Sequence, residues 1–472
     1  MEMVAEMASG VLSGRIDFTR AERSIWAESL KAGQQAFENL LGALDDALFE
    51  NRPDGFKVLG KRERKLLTMV GEVTIERRYY ADSEGKKRFL LDELLSQDER
   101  DRLSPQVALA AGRMSSRMPY RQAAEEIAFF LPDGMSHTTL ANFVRKLGGE
   151  YSAEQKEGAD ALFSCGELPP SEGKRAETLY AELDGKMINL QGEKKRKGEV
   201  KLAITHEGWD ERGDGQYVLR EKRVHIGMSS SEEFARTHIY DTASRWDITS
   251  ASFVVGGDGA PMARKAAELA PRSVFQLDRF HLKRAVMRAL SGDAVLVPRV
   301  YELATTDKLD EALVIITERM EGATPEKEQE LRRLSGYLID NREGLIDYRD
   351  RAEEADEDAR GLGSIEGNID KQVANRFAKR GMRWSKEGAD ALGKVLELRA
   401  NDLLSQRIEA RGGEKKGASA REVLSAAALA RTKLKEDPEA WLEVHMPALY
   451  GPDSDRPWVR VLRGISGLSE AV

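Results

Sequence analysis

The sequence predicts an α/β core within a largely helical chain, and three observations lead to this class. Between residues 175 and 285, five apolar runs follow one another, and a helical segment separates the last two. Strands in a row, followed by alternation of strand and helix, are typical of an α/β layer with a mixed sheet. Before residue 165, and again from 286 to 360, apolar residues recur mainly at three- and four-residue steps, which predicts helices.

The composition is that of a globular chain with several domains. Its 472 residues are 41% hydrophobic and 33% charged, enough for roughly three domains. Cys165 is the single cysteine, so intramolecular disulfides and cysteine-based zinc sites are excluded and a reducing cytoplasm is expected. We expect no membrane association, because no apolar run approaches the roughly 18 residues of a membrane span and the N-terminus has no signal-peptide pattern.

The first hundred residues are predicted to form two regions. Residues 1–50 show helical spacing and are interpreted as an N-terminal arm. Residues 51–100 contain strand-like runs on both sides of Gly71, which predict a β-hairpin region that carries Arg77, Arg78, Tyr79 and Tyr80.

Residues 101–165 contain a candidate helix-turn-helix DNA-binding domain. A helix is predicted from Tyr120 to Leu131, followed by a break at residues 132–134 and a second helix from the N-cap Ser136 to Leu147, which Gly148 would end. The second helix of such a motif enters the major groove. Its candidate DNA-binding side chains are His137, Thr138, Asn142, Arg145 and Lys146. An ordinary helical hairpin is the alternative.

The α/β core is predicted in two parts. The first, residues 175–285, has strands that end at Asp184, Asp258 and Asp278, with a helix from Pro261 to Ala270 between the last two strands. Residues 286–360 form a helical insertion, and residues 361–405 form the second part, in which Ser385 caps a helix. Residues 406–472 are interpreted as a C-terminal helical tail.

Three carboxylates are the candidates for metal-assisted chemistry: Asp184, Asp258 and Glu366. Asp258 follows Asp184 by 74 residues, and Glu366 follows by another 108, a distance that the helical insertion accounts for. Magnesium prefers oxygen ligands, and a pair of such ions about 4 Å apart supports phosphoryl transfer. The alternative is that these are surface or capping carboxylates, since an Asp-Gly pair more often marks a turn. Asp370, four residues after Glu366, is a substitute ligand.

Basic clusters offer contacts for a phosphate backbone despite the net charge of −8. No acidic residue lies between Lys371 and Arg383. Within this stretch and just after it, the candidate DNA-binding residues are Arg376, Arg380, Arg383 and Trp384. The arginines would hold phosphates and Trp384 would stack on an unpaired base. The alternatives are a solvated basic face and core packing of the tryptophan.

Several short motifs occur in a fixed order. They are DGK after the first strand, GGDGA after the fourth, LDRFHLKR after the fifth, and SIEGN followed by R-x-x-x-R-G-M-R-W-S, together with ERRYYAD and LLDELL in the front half. This set, spread over residues 57 to 401, resembles bacterial insertion-sequence transposases of the ISLre type.

The resemblance implies an α/β ribonuclease-H-like catalytic core with a helical insertion, plus a mainly helical N-terminal DNA-binding region. Asp184, Asp258 and Glu366 would be the catalytic and metal-binding triad, and Asp278 and His281 would match a supporting D-x-x-H pattern. Lys186 stands where the family often has Thr. Two Mg²⁺ ions are implied, with Mn²⁺ able to substitute.

The implied activity is cleavage of DNA and its joining to a target through a 3′-hydroxyl. Double-stranded DNA would be the partner, both as element ends and as target. A homodimer or higher oligomer is expected, in a bacterial cytoplasm at the nucleoid. Two alternatives stay open: a transposase-derived DNA-binding protein without catalysis, and a ribonuclease-H-like nuclease or resolvase.

Overall fold

The protein is described from a computed structural model, in residues 2–95, 97–98, 100–131, 133–192, 196–351, 358–379 and 381–410. Arg380 and most of the predicted C-terminal tail, from residue 411 on, lie outside these residues. The described chain forms two units: residues 2–110, 125–135 and 406–410 make one, and residues 111–124 and 136–405 make the other.

The first unit combines a long helix with a β-hairpin, as predicted. Its elements are α1 (Glu2–Leu12), α2 (Phe18–Glu50), β1 (Lys57–Thr68), β2 (Gly71–Ala81), β3 (Lys87–Arg88) and α3 (Leu90–Leu94). β1 and β2 pair antiparallel up to Thr68 and Gly71, so the hairpin turns at residues 69–70. Apolar side chains of α2, such as Leu41 and Leu48, pack on the hairpin and on α3.

Three helices follow: α4 (Pro105–Arg117), α5 (Tyr120–Phe130) and α6 (His137–Cys165). α4 and α5 contain residues of both units. Ser136 caps α6 as predicted, accepting the backbone N–H of Thr139 at 3.1 Å. The prediction that Gly148 ends this helix is wrong, because α6 continues for 29 residues in all.

The second unit is built on a five-stranded mixed sheet. Its strands and first helices are β4 (Thr178–Asn189), β5 (Lys197–His206), β6 (Trp209–Glu211), β7 (Tyr217–Leu219), β8 (Arg223–Gly227), α7 (Ser231–Ala243), β9 (Ser252–Gly257), α8 (Pro261–Leu269) and β10 (Ser273–Leu277). The strand order is β10-β9-β4-β5-β8, with β6 and β7 forming a separate pair. β4 is antiparallel to β5 and parallel to β9, and β9 is parallel to β10. The helix predicted between the last two strands is present.

The two faces of this sheet are covered differently. Leu179, Ala181 and Leu183 of β4 pack with α7 and α8 in the main core. Side chains alternate along a strand, so the even-numbered residues of β4 face the opposite side, where Tyr180 packs with Tyr348. That second face carries the candidate site.

A later helix, α17 (Lys386–Ala400), covers the outer edge of the sheet at β8. Three alternate backbone N–H groups there, which have no strand to pair with, donate to three side chains of α17 and its C-cap. These pairs are Val224 with Asn401, Ile226 with Glu397 and Met228 with Asp390, each at 2.8 Å. An edge strand left open invites pairing with other chains, and these contacts close it.

Helices fill the predicted insertion. They are α9 (Arg279–Ala289), α10 (Leu296–Ala304), α11 (Leu309–Glu318), α12 (Pro325–Asp340), α13 (Arg342–Leu345) and α14 (Tyr348–Arg351). Leu282 and Val286 of α9 pack with Leu331, Leu334 and Leu338 of α12 in a core of their own. The chain then returns as α15 (Ser364–Asn368), a π-helical segment (Ile369–Ala374), α16 (Asn375–Phe377), α17 and α18 (Leu404–Ala410).

Candidate active site

The central strand β4 carries two acidic side chains on its second face. Glu182 and Asp184 are two positions apart, so both point to the side away from the main core. The prediction that this strand ends at Asp184 is wrong. The strand runs on to Asn189 because the residues after Asp184 pair with β5. Asp184 therefore lies inside a strand, and the residues before and after it pair with β5.

Asp258 comes directly after β9, as predicted, and lies beside Asp184. The last residue of β9, Gly257, pairs with the residue before Asp184. A Cβ on Gly257 would lie 2.4 Å from the Cβ of Ala263, so a residue with a side chain would push the start of α8 away. Oδ1 of Asp258 accepts the backbone N–H of Ala260 at 2.9 Å, which fixes the carboxylate at the turn.

Asp278 and His281 form a pair at the start of α9. Asp278 is the N-cap of this helix: its Oδ1 accepts the backbone N–H of His281 at 2.8 Å and lies 2.9 Å from the ring Nδ1 of the same residue. The backbone N–H of Asp278 donates to the carbonyl of Gly257 at 2.8 Å. This bond places the pair next to the end of β9.

These residues line one small cavity of about 10 Å³ on the second face of the sheet. Its walls are Glu182, Leu183, Asp184, Gly256, Gly257, Asp258, Asp278, His281, Leu362 and Ile365. The structure thus brings together Asp184, Asp258, Asp278 and His281, four of the five residues that the sequence suggested for the triad and its support.

The electrostatics of the cavity favour a bound cation. Burial raises the pKa of Asp184, and the negative charges of Asp258 and Asp278 raise it further. The hydrogen bond to Asp278 raises the pKa of His281, and the carboxylates of Asp184 and Asp258 add to this rise. Burial acts to raise the pKa of Asp278, but the hydrogen bonds from His281 lower it below its ordinary value. Four carboxylates, counting the buried Glu182, line this space with one imidazole, so acidic groups are in excess.

Glu366 lies on α15, whose start is attached to β4. The side chain of Glu366 is exposed, and the cavity is lined by its neighbour Ile365 instead. Oε2 of Glu182 accepts the backbone N–H groups of Gly363 at 2.8 Å and Ile365 at 3.2 Å. Glu182 is only 2% exposed. A buried carboxylate two residues before Asp184 therefore holds the helix that carries Glu366.

Sequence reasoning did not single out Glu182. The available signal was an acidic residue inside the apolar run TLYAEL, two positions before a candidate catalytic Asp. Buried carboxylates are rare unless they are paired, so such a residue predicts a partner. Its second oxygen, Oε1, lies 3.7 Å from Nε2 of the fully buried His206.

The helix that begins at α15 changes its geometry three residues after Glu366, at Ile369. Residues 369–374 are π-helical, and π-helical turns inside α-helices are frequent at functional sites. Asp370, the substitute ligand, is exposed on this turn and lies 3.6 Å from the ammonium group of Lys379. Asp370 does not line the cavity.

A second group with metal-binding residue types lies elsewhere in this unit. It consists of His225, Asp241 and Glu397, all buried. Arg223 donates two hydrogen bonds to Asp241, at 2.9 and 3.0 Å. Lys394 donates to Glu397 at 2.9 Å. Two cations already balance the two carboxylates, and Glu397 also seals β8, so this group acts as a structural network and not as a metal centre.

The candidate DNA-binding side chains of α6 lie near the N-terminus of the helix and are exposed. They are His137, Thr138, Asn142, Arg145 and Lys146. The Nη1 of Arg145 donates to Oδ1 of Asn142 at 2.8 Å, so these two present a joint polar group. The other face of this stretch is buried through Leu140, Val144 and Leu147.

The interpretation of Arg376 and Trp384 as nucleic-acid contacts is wrong. Arg376 is 3% exposed: it donates to the carbonyl of Ser115 at 2.9 Å and packs over the rings of Tyr120 and Trp384. Trp384 is 8% exposed, and its Nε1 donates to the carbonyl of Phe377 at 3.1 Å. Both residues fix the end of the π-helical region by packing.

Arg383 is exposed and stays a candidate for a phosphate contact. Arg380, the third arginine of this group, lies outside the described residues.

A family model described as "Uncharacterised protein family (UPF0236)" matches residues 12–416, which include most of the first unit, all of the second and every residue of the cavity. The chain belongs to this family. No helix in the described ranges combines the length and the apolar character that crossing a membrane requires.

Relatives of this family occur in multiple copies in bacteria. UPF0236 protein TTE2489 of Caldanaerobacter subterraneus subsp. tengcongensis is 25% identical over 426 residues, 89% of this chain and 86% of that protein. A second protein of that bacterium is 25% identical over 426 residues, 89% of this chain and 85% of that protein. Its name, UPF0236 protein TTE0610/TTE0881/TTE1053/TTE2432, gives four loci for the same protein. The UPF0236 protein in the vanSb 3′ region of Streptococcus gallolyticus is 25% identical over 360 residues, 74% of this chain and 75% of that protein.

Proposed function

We propose that this UPF0236 chain is a DDE-type DNA transposase that resembles the ISLre type. It binds element ends and catalyses metal-dependent cleavage and transfer of DNA strands. The observation that carries the proposal is the cavity in which Asp184 of β4 and Asp258 after β9 lie side by side, next to a helix that carries Glu366. The occurrence of relatives at several loci of one genome adds support, since multiplication within a genome is what a mobile element does.

The proposed catalytic domain is a ribonuclease-H-like core. The support is a sheet with an antiparallel run β4-β5-β8 on one side and the parallel strands β9 and β10 on the other. Asp184 comes from the central strand and Asp258 from its parallel neighbour. A helical insertion separates both from Glu366, as the resemblance implies.

The donor set fits magnesium, with manganese able to substitute. Asp184 and Asp258 offer carboxylate oxygens in a space with excess negative charge, and hard cations prefer such ligands. Glu366 would complete the set from the helix that Glu182 holds. When bound there, two divalent ions supply activation of the attacking oxygen and stabilisation of the leaving oxygen.

The residues of the chain have distinct roles in this proposal. The carboxylates of Asp184 and Asp258 would hold the divalent cations, and these would position the scissile phosphate. His281, whose pKa is raised by its hydrogen bond to Asp278, lies at the cavity wall, where its imidazole would contact a phosphate oxygen. Water first cleaves a phosphodiester at the element end and releases a DNA 3′-hydroxyl. This hydroxyl then attacks a phosphodiester of the target and displaces a target 3′-hydroxyl, with no covalent bond between protein and DNA.

The proposed partners are double-stranded DNA and a second copy of the chain. The exposed residues of α6 from His137 to Lys146 read the element end, and Arg383 holds a phosphate. The protein works at the nucleoid in the bacterial cytoplasm.

The test is cleavage and joining of a labelled DNA fragment that carries the flanking sequences of the gene. Wild-type protein is assayed with Mg²⁺, with Mn²⁺ and with EDTA, and Asp258→Ala is assayed in parallel. Metal-dependent cutting and joining that Asp258→Ala abolishes supports the proposal. Cutting that survives this substitution refutes the triad. Cutting without joining favours a nuclease or resolvase, and binding without cutting favours a DNA-binding regulator.

A further inference from the structure

One face of α9 is exposed, aromatic and basic, and it begins at the wall of the cavity. We call it the α9 outer face and define it by Phe280, Lys283, Arg284, Met287 and Arg288. These residues recur at three- and four-residue steps, opposite the buried Leu282, Val286 and Ala289, so they share one side of the helix. Phe280 is 53% exposed and Met287 is 46% exposed.

The cations of this face are not used within the chain. Lys283, Arg284 and Arg288 are exposed, and in the described part of the structure none of their side chains makes a hydrogen bond or an ion pair. Arg279, on the other side, is used: it donates to the carbonyl of Leu345 at 2.7 Å. No acidic residue lies between Asp278 and Asp293. The positive charge of the outer face is therefore free for an anionic partner.

The position of the face connects it to the cavity. The ring of Phe280 packs edge-on against the imidazole of His281, with centroids 5.5 Å apart, and His281 lines the cavity with Asp184 and Asp258. From Phe280 to Arg288 the helix rises about 12 Å. A DNA strand that runs from the cavity along α9 would therefore pass the exposed ring of Phe280 first and the three cations after it.

We propose that the α9 outer face binds the DNA strand adjacent to the scissile phosphate: Lys283, Arg284 and Arg288 contact successive phosphates, and Phe280 stacks on an unpaired base at the DNA end. This inference rests on the proposed function, because it names how the DNA of that reaction is held. It also moves the stacking role from Trp384, which is buried, to an aromatic residue that is exposed beside the site.

The chemistry of the face favours DNA with an unpaired base over intact duplex. A row of cations alone would bind any phosphate backbone. An exposed aromatic ring gains little from a duplex, whose bases are stacked on each other, but stacks well on a free base. The combination of Phe280 with the three cations therefore predicts a preference for a frayed or overhanging end.

The experiment measures binding without cleavage. Fluorescence anisotropy in EDTA follows two labelled probes of the same sequence: a blunt duplex and a duplex with a short single-stranded 3′ overhang. The variants are full-length Phe280→Ala, Phe280→Trp and the triple Lys283→Ala/Arg284→Ala/Arg288→Ala. The matched control is Arg299→Ala/Lys308→Ala/Arg319→Ala, which removes the same charge from exposed positions of α10, α11 and their flanks.

The expected results separate the two parts of the face. The triple variant weakens the binding of both probes. It reduces the magnitude of the slope of log K against log salt by up to about 3, whereas the control triple leaves this slope nearly unchanged. Phe280→Ala weakens the overhang probe by about tenfold and the blunt probe far less, and Phe280→Trp retains the preference.

Other results overturn the inference. If the two triples lower the salt slope equally, the cations of α9 act only through net charge. If Phe280→Ala weakens both probes alike, or neither, no base stacks on it. Failure of the proposed function is recognised separately: a protein that binds through this face but never cuts DNA keeps the face as a DNA-binding surface and refutes the proposed catalysis. A protein that cuts DNA while all variants bind as wild type refutes the inference about the face.

Discussion

The buried carboxylate of Glu182 accepts the backbone N–H of Gly363 at 2.8 Å, across 181 residues of sequence. The same oxygen accepts the N–H of Ile365, so one side chain of β4 satisfies two of the donors at the start of α15. Glu182 and Asp184 share a face of β4, and Glu366 is on α15. The relative position of the first and third candidate ligands therefore depends on Glu182, whose Oε2 holds the start of α15.

We predict that Glu182→Ala lowers DNA cleavage by on the order of 10²-fold, because a shift of about 1 Å in a catalytic group has such an effect. The amide of Glu182→Gln keeps an oxygen acceptor for Gly363, so this variant should retain most of the activity. DNA affinity, measured by anisotropy, should be unchanged in both. Glu177→Ala, an exposed glutamate just before β4, is the control.

Loss of DNA affinity in parallel with cleavage would contradict a positioning role for Glu182, and so would full activity of Glu182→Ala. Thermal unfolding of each variant shows whether the assay temperature leaves the protein folded.

The sequence was sufficient to predict the strands that carry the site but not where the first of them ends. The apolar runs before Asp258 and Asp278 stop where their strands stop, and parallel neighbours then bring these residues together. Directly after Asp184 come Gly185 and Lys186, which suggest a turn. They remain in the sheet because they pair with β5 out to Lys197, and such pairing depends on a partner strand that local sequence does not reveal.

Burial was the other property that local patterns could not provide. Trp384 and Arg376 follow a basic stretch and suggest a surface, yet Tyr120, distant in sequence, packs against both. Gly148 has the sequence signature of a helix stop. In the structure it lies in the middle of α6, where the absence of a side chain lets α17 approach.

We predict opposite effects for two adjacent glycines of α6. A Cβ on Gly148 would lie 2.0 Å from the carbonyl oxygen of Ala391, a backbone atom of α17. Gly148→Ala should therefore lower the free energy of unfolding by about 1–3 kcal/mol or more. A Cβ on Gly149 meets nothing within 4 Å, so Gly149→Ala should raise it by about 0.5–1 kcal/mol through helix propensity.

Urea unfolding followed by circular dichroism measures both glycine variants under the same conditions. Equal effects of the two substitutions would mean that α6 and α17 do not approach each other at Gly148.

We predict that His238 makes the protein less stable in mild acid. Burial lowers the pKa of His238 to about 3, and the charge of nearby His225 acts in the same direction. Between pH 6.5 and 3 the unfolded chain binds a proton at this residue and the folded chain does not, so acid favours unfolding. When the pH is lowered from 7.5 to 5.0, proton uptake by His238 in the unfolded chain should lower the free energy of unfolding by up to about 2 kcal/mol.

His238→Gln removes this proton uptake and should flatten the pH dependence of the unfolding free energy by that amount. His137→Gln, which changes an exposed histidine of α6, is the control and should leave the dependence unaltered. Parallel pH profiles for wild type and His238→Gln would show that His238 is protonated equally in both states.

The last prediction distinguishes the two clusters of metal-binding residue types. If Asp184 and Asp258 hold a divalent cation, Mn²⁺ at a hundred times its dissociation constant should stabilise the folded protein by about 2.7 kcal/mol. Asp184→Asn/Asp258→Asn should lose this gain, and because it removes charge repulsion within the cavity, the metal-free variant should be at least as stable as wild type.

His225→Gln disturbs the structural network around Glu397, so it should lower the stability without metal but keep the gain on adding Mn²⁺. Thermal unfolding with Mn²⁺ and with EDTA measures each quantity. A gain that disappears in His225→Gln and persists in the double variant would assign the metal to the network of His225, Asp241 and Glu397 instead.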